Sequence, residues 1–236
     1  MFKRETKVGE KPILNIEQML QEVEDAGLEV DLGQLSETEY ILGHVLPYAM
    51  SFDVETEDQL TIEDPNLLGI KFGFYMQFGS SEGGKAFARI TLMKSAPQAY
   101  GVQLIDIVQA AERNIIPEIK PFIEMGIPCA DTIAAHGRPL YSVSAAGGSR
   151  GAGVLLDPDL PAMIKEKIGA DEFYLLPSSV HELIAVPYAC MDPEELAFLL
   201  RTVRLINELL VDKEERLSNN IFKYDGTRFS TVINPV

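Results

Sequence analysis

The stretch that most constrains the fold covers residues 172–188 and reads EFYLLPSSVHELIAVPY. Its two apolar runs, 173–176 and 183–186, contain aromatic and β-branched residues and each is followed by a proline, which is typical of short buried strands. Proline has no backbone N–H, so strand pairing should stop close to Pro177. Between the runs lie four polar side chains, Ser178, Ser179, His181 and Glu182. The pattern predicts two neighbouring strands joined by a tight polar corner.

This polar corner has three chemical interpretations. A zinc protease requires H-E-x-x-H on a helix, and His181 and Glu182 begin that pattern, but Ala185 stands where the second histidine should be. A serine hydrolase requires a nucleophile beside a general base, and Ser179 lies two residues from His181, on one face of an extended strand. Ser179 and Glu182 also have the S-x-x-E spacing of a helix capping box. We favour the structural interpretation, then a binding role for Ser178, Ser179, His181 and Glu182, over catalysis.

A second candidate nucleophile, Ser149, lies in the segment GGSRG at residues 147–151, which matches the G-x-S-x-G motif of hydrolases. That motif works when a strand precedes the serine and a helix follows it. Residues 140–145 are typical of a strand, but residues 152–156 form a short apolar run that ends before Pro158 and also favours a strand. The segment is therefore predicted to be a hairpin tip.

The alternation of side chains in residues 69–78, GIKFGFYMQF, predicts the clearest strand of the chain, and the run 86–93 predicts its hairpin partner. Helices are predicted from apolar spacing, caps and Gly or Pro stops at residues 16–26, 100–114, 116–125 and 159–168, and from Asp192 onward. The last of these helices should bury a stripe made of Leu196, Leu199, Leu200, Val203, Ile206 and Leu210. Residues 221–224 and 228–232, around Asp225-Gly226, predict a final hairpin.

Paired strands separated by helices predict an α+β fold, with a mainly antiparallel or mixed sheet covered by helices. The division predicted from the sequence is an acidic, partly helical N-terminal segment, 1–65, followed by an α+β domain, 66–236.

The acid excess is concentrated in that N-terminal segment. The chain has a net charge of −16, and residues 1–65 hold 16 acidic against 4 basic side chains. Binding to a nucleic-acid backbone or an anionic membrane needs clustered Lys and Arg, so the balance predicts neither. It favours a solvated acidic surface that aids solubility. Docking to another protein, in particular a basic one, or acidic mimicry by an inhibitor from a mobile element, would also explain the charge.

Cys129 and Cys190 lie in unrelated contexts, without the spacing of a zinc site, and predict reduced thiols, no metal and no cofactor. The first twelve residues, MFKRETKVGEKP, lack the apolar core of a signal peptide. Both features predict a cytoplasmic bacterial protein.

The run YLLPSSVHELIAVP resembles the L-P-S-S-x-H-E signature of a domain-of-unknown-function family, DUF5688, found widely in clostridial bacteria. LYSVSAAGGSRGAGVLL and DPEELAFLLRTVRLINELLVDKEERLSNNIFKYD resemble neighbouring elements of that family, so the likeness covers residues 68–230. The resemblance implies a shared fold and no particular reaction or substrate. Ala145 and Ala146 stand where the family pattern suggests an asparagine, which weakens the idea of a fixed polar site there.

The favoured prediction is a non-enzymatic binding or adaptor module that contacts its partner through the Ser178–Glu182 corner or the acidic N-terminal segment. The alternative is a serine hydrolase using Ser179 or Ser149 with His181. That enzyme would need a serine oxygen within about 3 Å of an imidazole nitrogen, in a cleft with oxyanion donors.

Overall fold

The computed structural model describes residues 33–78, 88–126, 139–147, 149–187 and 192–234. The helix predicted after Asn15 and both cysteines lie outside these residues. Two antiparallel sheets and several helices make up the described part, which confirms the α+β prediction. None of its helices combines the length and the apolar character needed to cross a bilayer.

The first sheet is built around one long central strand, β3 (Ile70–Phe78). Strand β1 (Val45–Ser51) pairs along one side of it, while β2 (Thr61–Glu63) and β4 (Ala88–Thr91) follow one another along the other side. The hairpin predicted for β3 and β4 is confirmed. The predicted boundary at residue 65 falls between β2 and β3, which pair in this sheet.

The second sheet has six strands in the order β10-β9-β7-β8-β6-β5. They are β5 (Pro117–Pro121), β6 (Tyr141–Ala145), β7 (Phe173–Pro177), β8 (Leu183–Pro187), β9 (Ile221–Tyr224) and β10 (Phe229–Val232). All neighbouring pairs are antiparallel, and the two hairpins predicted from the sequence, β7–β8 and β9–β10, are confirmed.

The helices follow the predicted caps in part. They are α1 (Thr38–His44), α2 (Ala96–Tyr100), α3 (Leu104–Asn114), α4 (Leu160–Ile168) and α5 (Pro193–Leu210), with short 3-10 helices at Gln34–Ser36, Gly151–Leu156 and Lys213–Glu215. At the start of α5 the Asp192 carboxylate accepts the backbone N–H groups of Glu194 and Glu195, and the Glu195 side chain completes the capping box. The predicted start of this helix is therefore confirmed.

Three clusters of buried side chains hold these elements together. One joins both sheets, with Phe72 of β3 and Phe173 of β7 among its members, and includes α4 and the 3-10 helix Gly151–Leu156. A second packs α1 and α3 against the far end of β3. The third packs α5 against the outer face of the six-stranded sheet, through Leu199, Leu200 and Val203. Burial of apolar area in these clusters is the main stabilising contribution to the fold.

Two predicted elements are of the wrong type, and the hairpin tip predicted at residues 147–151 is wrong with them, because a 3-10 helix follows β6 there. Residues 116–125, predicted as a helix, contain strand β5, because the E-I-K segment between two prolines alternates its side chains between the faces of the sheet. Residues 152–156, predicted as a strand, belong to the 3-10 helix Gly151–Leu156. That helix depends on close backbone approaches: a Cβ on Gly151 would meet the carbonyl oxygen of His181, and a Cβ on Gly153 the carbonyl oxygen of Pro47.

The predicted buried stripe of α5 is correct for its first half only. Leu199, Leu200 and Val203 are buried, but Ile206 is 40% exposed and Leu210 is 80% exposed. The helix continues past the end of the sheet contact, where Leu209 and Leu210 are exposed, but Asn207 is buried there and its Nδ2 donates to the Ser218 carbonyl.

Prolines interrupt the outer edge of β5, which lies at one end of the six-stranded order. The N–H of Phe122 donates to the carbonyl of Leu140, and the N–H of Ala146 donates to the carbonyl of Ile116. The backbone N–H and C=O groups of the even-numbered residues of β5 are therefore directed toward β6, and those of the odd-numbered residues are directed outward. The outward positions are therefore Pro117, Ile119 and Pro121, of which only Ile119 has an N–H. On edge strand β1 the same reasoning, from Phe52 N–H to Gly69 O, places Pro47 outward.

Candidate functional site

The outer face of the six-stranded sheet is divided into an apolar half and a polar half. Helix α5 packs on the apolar half, which includes Tyr174, Leu176 and Val186. The strand register places five polar side chains on the same face further toward β5: Glu118, Lys120, Ser142, Ser144 and Glu182. Strand alternation explains why the polar residues of β5 and β6 share this face, since the intervening residues point to the core between the sheets.

A cavity of about 280 Å³ lies over the polar half. We call it the polar trough; it is lined by Glu118, Lys120, Met125, Ser142, Ser144, Ser179, His181 and Glu182. Three of the four predicted binding residues therefore line one cavity. The fourth, Ser178, contacts the trough through Glu182.

Glu182 is half-buried in the trough and is held by serine hydroxyls. Ser142, which is 7% exposed, donates to its Oε2 at 2.9 Å, and Ser178 donates to its Oε1 at a longer 3.5 Å. A carboxylate offers about four acceptor positions, so acceptor capacity remains on both oxygens.

His181 connects three segments of the chain. Its Nδ1 accepts the backbone N–H of Arg150 at 3.0 Å, which places the ring proton on Nε2, 3.3 Å from Oε1 of Glu215. Backbone bonds from Val180 N–H to Glu215 O and from Ala152 N–H to Val180 O join the same segments. The imidazole therefore ties the β7–β8 corner to the 3-10 helices at Gly151–Leu156 and Lys213–Glu215.

The capping-box prediction for Ser179 and Glu182 is wrong. No helix begins at this corner: the Ser179 N–H donates to the Glu182 carbonyl in a tight turn of the β7–β8 hairpin. Oγ of Ser179 accepts the backbone N–H of His181 at 3.0 Å. These hydrogen bonds of Ser179 stabilise a connection between two strands, and the pairing of β7 with β8 on both sides leaves no room for a helical turn.

Neither predicted serine meets the hydrolase requirement among the described residues. Both imidazole nitrogens of His181 are bonded to groups other than a serine hydroxyl. Oγ of Ser149 instead accepts a hydrogen bond from Nη1 of Arg89 at 2.9 Å. The geometry gives the hydrolase hypothesis no support.

The charges around the trough leave a surplus of acceptors. Lys120 and Glu118 form an exposed ion pair at 2.8 Å, so they largely neutralise each other. Glu182 and Glu215 then remain as the carboxylates near His181. In the part of the chain that the structure describes, no three His, Cys, Asp or Glu side chains come together in a set that could hold a metal ion.

Sequence reasoning missed five residues of the trough: Glu118, Lys120, Met125, Ser142 and Ser144. The serines occupy alternate positions of YSVSA, which is correctly predicted as a strand, so the sequence indicates that they share one face of the sheet. It does not indicate which strand lies beside them. The predicted helix at 116–125 gives no reason to expect Glu118 and Lys120 next to these serines, where strand β5 places them.

The fold and the trough define an α+β protein of two antiparallel sheets with a partly uncovered polar sheet face. The chain belongs to DUF5688, described as a family of unknown function, whose model matches residues 70–226. The family predicted from the sequence is thereby confirmed. No curated protein and no solved structure matched the chain.

Proposed function

We propose that this protein is a binding module, and that the polar trough takes a lysine or arginine side chain of a partner protein. The observation that carries the proposal is the half-buried Glu182 carboxylate, whose two oxygens each receive one serine hydroxyl and retain acceptor positions. Serine hydroxyls can accept as well as donate, so the trough offers many acceptors. A group with several donors fits it best.

Lysine and arginine side chains are the groups that match this surplus. An ammonium brings three donors and a guanidinium brings five, with no acceptor of their own. Charge-assisted hydrogen bonds to a carboxylate are about twice as strong as neutral ones. The cavity of about 280 Å³ leaves room for one such side chain.

The charge of the whole chain supports a basic partner. A net charge of −16 attracts basic surfaces over several ångströms and speeds their encounter with the protein. Long-range attraction alone does not select a site, so selectivity has to come from the trough itself. Binding in the trough should therefore depend on individual trough residues, whereas general electrostatic attraction should depend only on net charge.

The test is a titration of the full chain with the peptides Ac-Gly-Arg-Gly-amide, Ac-Gly-Lys-Gly-amide and the neutral Ac-Gly-Gln-Gly-amide, followed by amide chemical shifts. We expect the two basic peptides to shift resonances of the trough and the neutral one to leave them unchanged. Glu182→Gln should weaken binding about tenfold or more, since a hydrogen bond to a charged group contributes roughly 1.5–3 kcal/mol.

Glu166→Gln is the matched control. Glu166 is an exposed residue of α4 and does not line the trough, so its substitution changes the net charge by the same amount. We expect it to leave the affinity nearly unchanged. Equal losses in Glu182→Gln and Glu166→Gln, or binding of the neutral peptide at the same shifts, would contradict the proposal.

A further inference from the structure

Two arginines lie over two tyrosines on the outer face of the four-stranded sheet. Tyr48 of β1 and Tyr75 of β3 have ring centroids 6.0 Å apart and are only 4% and 6% exposed. The guanidinium carbon of Arg150 is 4.5 Å from the Tyr48 ring centre, and that of Arg89 is 4.9 Å from the Tyr75 ring centre. These cation–π contacts hold both guanidiniums in place, while both side chains remain exposed to solvent.

Within the part of the chain that the structure describes, the donor groups of these arginines are largely unused. Oγ of Ser149 accepts one N–H of Arg89 at 2.9 Å. Within the described residues, neither Arg89 nor Arg150 has a carboxylate at ion-pair distance. Each guanidinium has five N–H donors and no acceptor, so the two arginines together present a group of donors for which the described residues supply no counter-charge. This is notable in a chain whose net charge is −16.

Both arginines act on the same tyrosine. Burial raises the pKa of Tyr75, and the positive charges of Arg89 and of Arg150 each oppose that rise. Both guanidiniums therefore act electrostatically on the same ring. Like charges repel each other, and an anion bound to both guanidiniums would relieve that repulsion.

The backbone that carries Arg150 is itself strained. Arg150 has φ +58°, and it is the one non-glycine residue in the left-handed region among those described. Such a conformation is unfavourable for a residue that carries a side chain, and it persists when its surroundings impose it. Here the imidazole of His181 accepts the Arg150 N–H, and the tightly packed Gly151 follows. The fold thus holds the Arg150 side chain over Tyr48 against a local preference.

We propose that Arg89, Arg150 and the Ser149 hydroxyl form a binding site for a phosphate group, either inorganic phosphate or a phosphate monoester. A tetrahedral dianion can accept from two guanidiniums and one hydroxyl at once, whereas a planar carboxylate is satisfied by one bidentate guanidinium. Because the rest of the chain repels anions, affinity has to come from these three side chains. The site is separate from the polar trough, and its test does not depend on the trough binding anything.

The experiment is a titration of the full chain with inorganic phosphate and, separately, with O-phosphoserine, at constant ionic strength, followed by amide and arginine side-chain resonances. Acetate is the carboxylate comparison. We expect both phosphate compounds to shift resonances of Arg89, Ser149 and Arg150, and acetate to bind more weakly. Binding of inorganic phosphate without O-phosphoserine would restrict the site to the free ion, and the reverse would restrict it to esters. Absence of shifts at these residues with both compounds would overturn the proposal.

Two variants test the assignment of the arginines. Arg89→Gln removes one guanidinium from an exposed position of β4. Arg150→Gly removes the other and relieves the positive φ, so the variant should remain folded. Each should weaken phosphate binding about tenfold or more, as expected for loss of hydrogen bonds to a charged group.

Arg201→Gln, on exposed helix α5, removes the same charge from a surface outside the site and is the control. It should change the affinity by less than about twofold, because exposed charges beyond a Debye length are screened. Retention of affinity in folded Arg89→Gln or Arg150→Gly would overturn the assignment. An equal loss in Arg201→Gln would show that only general charge is involved, and would overturn it too.

Discussion

Substitution of Gly153 by alanine tests how closely the 3-10 helix Gly151–Leu156 approaches strand β1. A Cβ at this position would fall against the carbonyl oxygen of Pro47, 2.9 Å from its carbonyl carbon and 3.1 Å from Cα of Tyr48. All three are backbone atoms, so no side-chain rotation can relieve the overlap. Either β1 or the 3-10 helix has to move, and β1 is paired with β3 along its whole length.

The expected cost follows from overpacking. Extra carbon atoms in a well-packed interior cost about 1–3 kcal/mol, and contact with paired backbone places Gly153→Ala near the upper end. Alanine also lowers the conformational entropy of the unfolded chain, which offsets only about 0.4–1 kcal/mol of this cost. For a chain of this size, a loss of about 2 kcal/mol corresponds to a melting temperature lower by roughly 4–8 °C.

Gly43→Ala is the matched control. Gly43 lies in helix α1, and a Cβ there would have no heavy atom within 4 Å. The same substitution should therefore stabilise the protein by about 0.5–1 kcal/mol, the helix preference for alanine over glycine. Thermal unfolding by circular dichroism and urea midpoints would measure both variants. If Gly153→Ala were as stable as the wild type, or shifted in the same direction as Gly43→Ala, the close approach to β1 would be refuted.

Three further outcomes are expected. Leu199 is 2% exposed, so Leu199→Ala should lower the free energy of unfolding in urea by about 2–5 kcal/mol. Leu209 on the same helix is 71% exposed, and Leu209→Ala should lower it by less than about 1 kcal/mol. Equal losses in the two variants would contradict the packing of α5. Hydrogen bonds from the Thr227 hydroxyl, then from backbone N–H groups, lower the pKa of Asp225 to about 2. Its stabilising contribution is therefore complete above pH 4 and is lost as the pH falls toward 2; a side-chain NMR titration midpoint near 4 would disprove this. Burial, and next the charge of Asp157, raise the pKa of Glu112, so the ionised side chain destabilises the folded protein. Glu112→Gln should therefore raise the melting temperature at pH 7. At pH 3 the wild-type carboxyl is protonated, and the substitution should leave the melting temperature unchanged.

Local signals predicted the parts of the fold that depend on neighbours in sequence. The start of α5 was predictable because Asp192, Pro193 and Glu195 satisfy the helix N-terminus by themselves. The β7–β8 pair was predictable because two apolar runs flank a short polar corner, and the final hairpin because Asp225-Gly226 favours a tight turn. In each case the contacts that matter span a few residues.

The wrong predictions depend on contacts between distant parts of the chain. Gly151 and Gly153 look like a flexible turn in the sequence, but the structure uses them where backbone from other segments approaches too closely for a side chain. The spacing of Ser179 and Glu182 fits a helix cap as well as a hairpin corner, and only the pairing of the flanking strands decides between them. Of the trough, the corner residues were predicted, but the contribution of β5 was not, because its E-I-K segment is too short for a period.

The prolines at the outward positions of β1 and β5 restrict how another chain can associate with this one. A partner that extended a sheet would need a continuous row of free amide hydrogens, and at β5 only Ile119 provides one. Docking beside the trough must then rely on side chains of the partner, and its main chain can be a loop or a helix as readily as a strand. For the same reason, copies of this protein that are crowded together should not stack through these edges into fibrils.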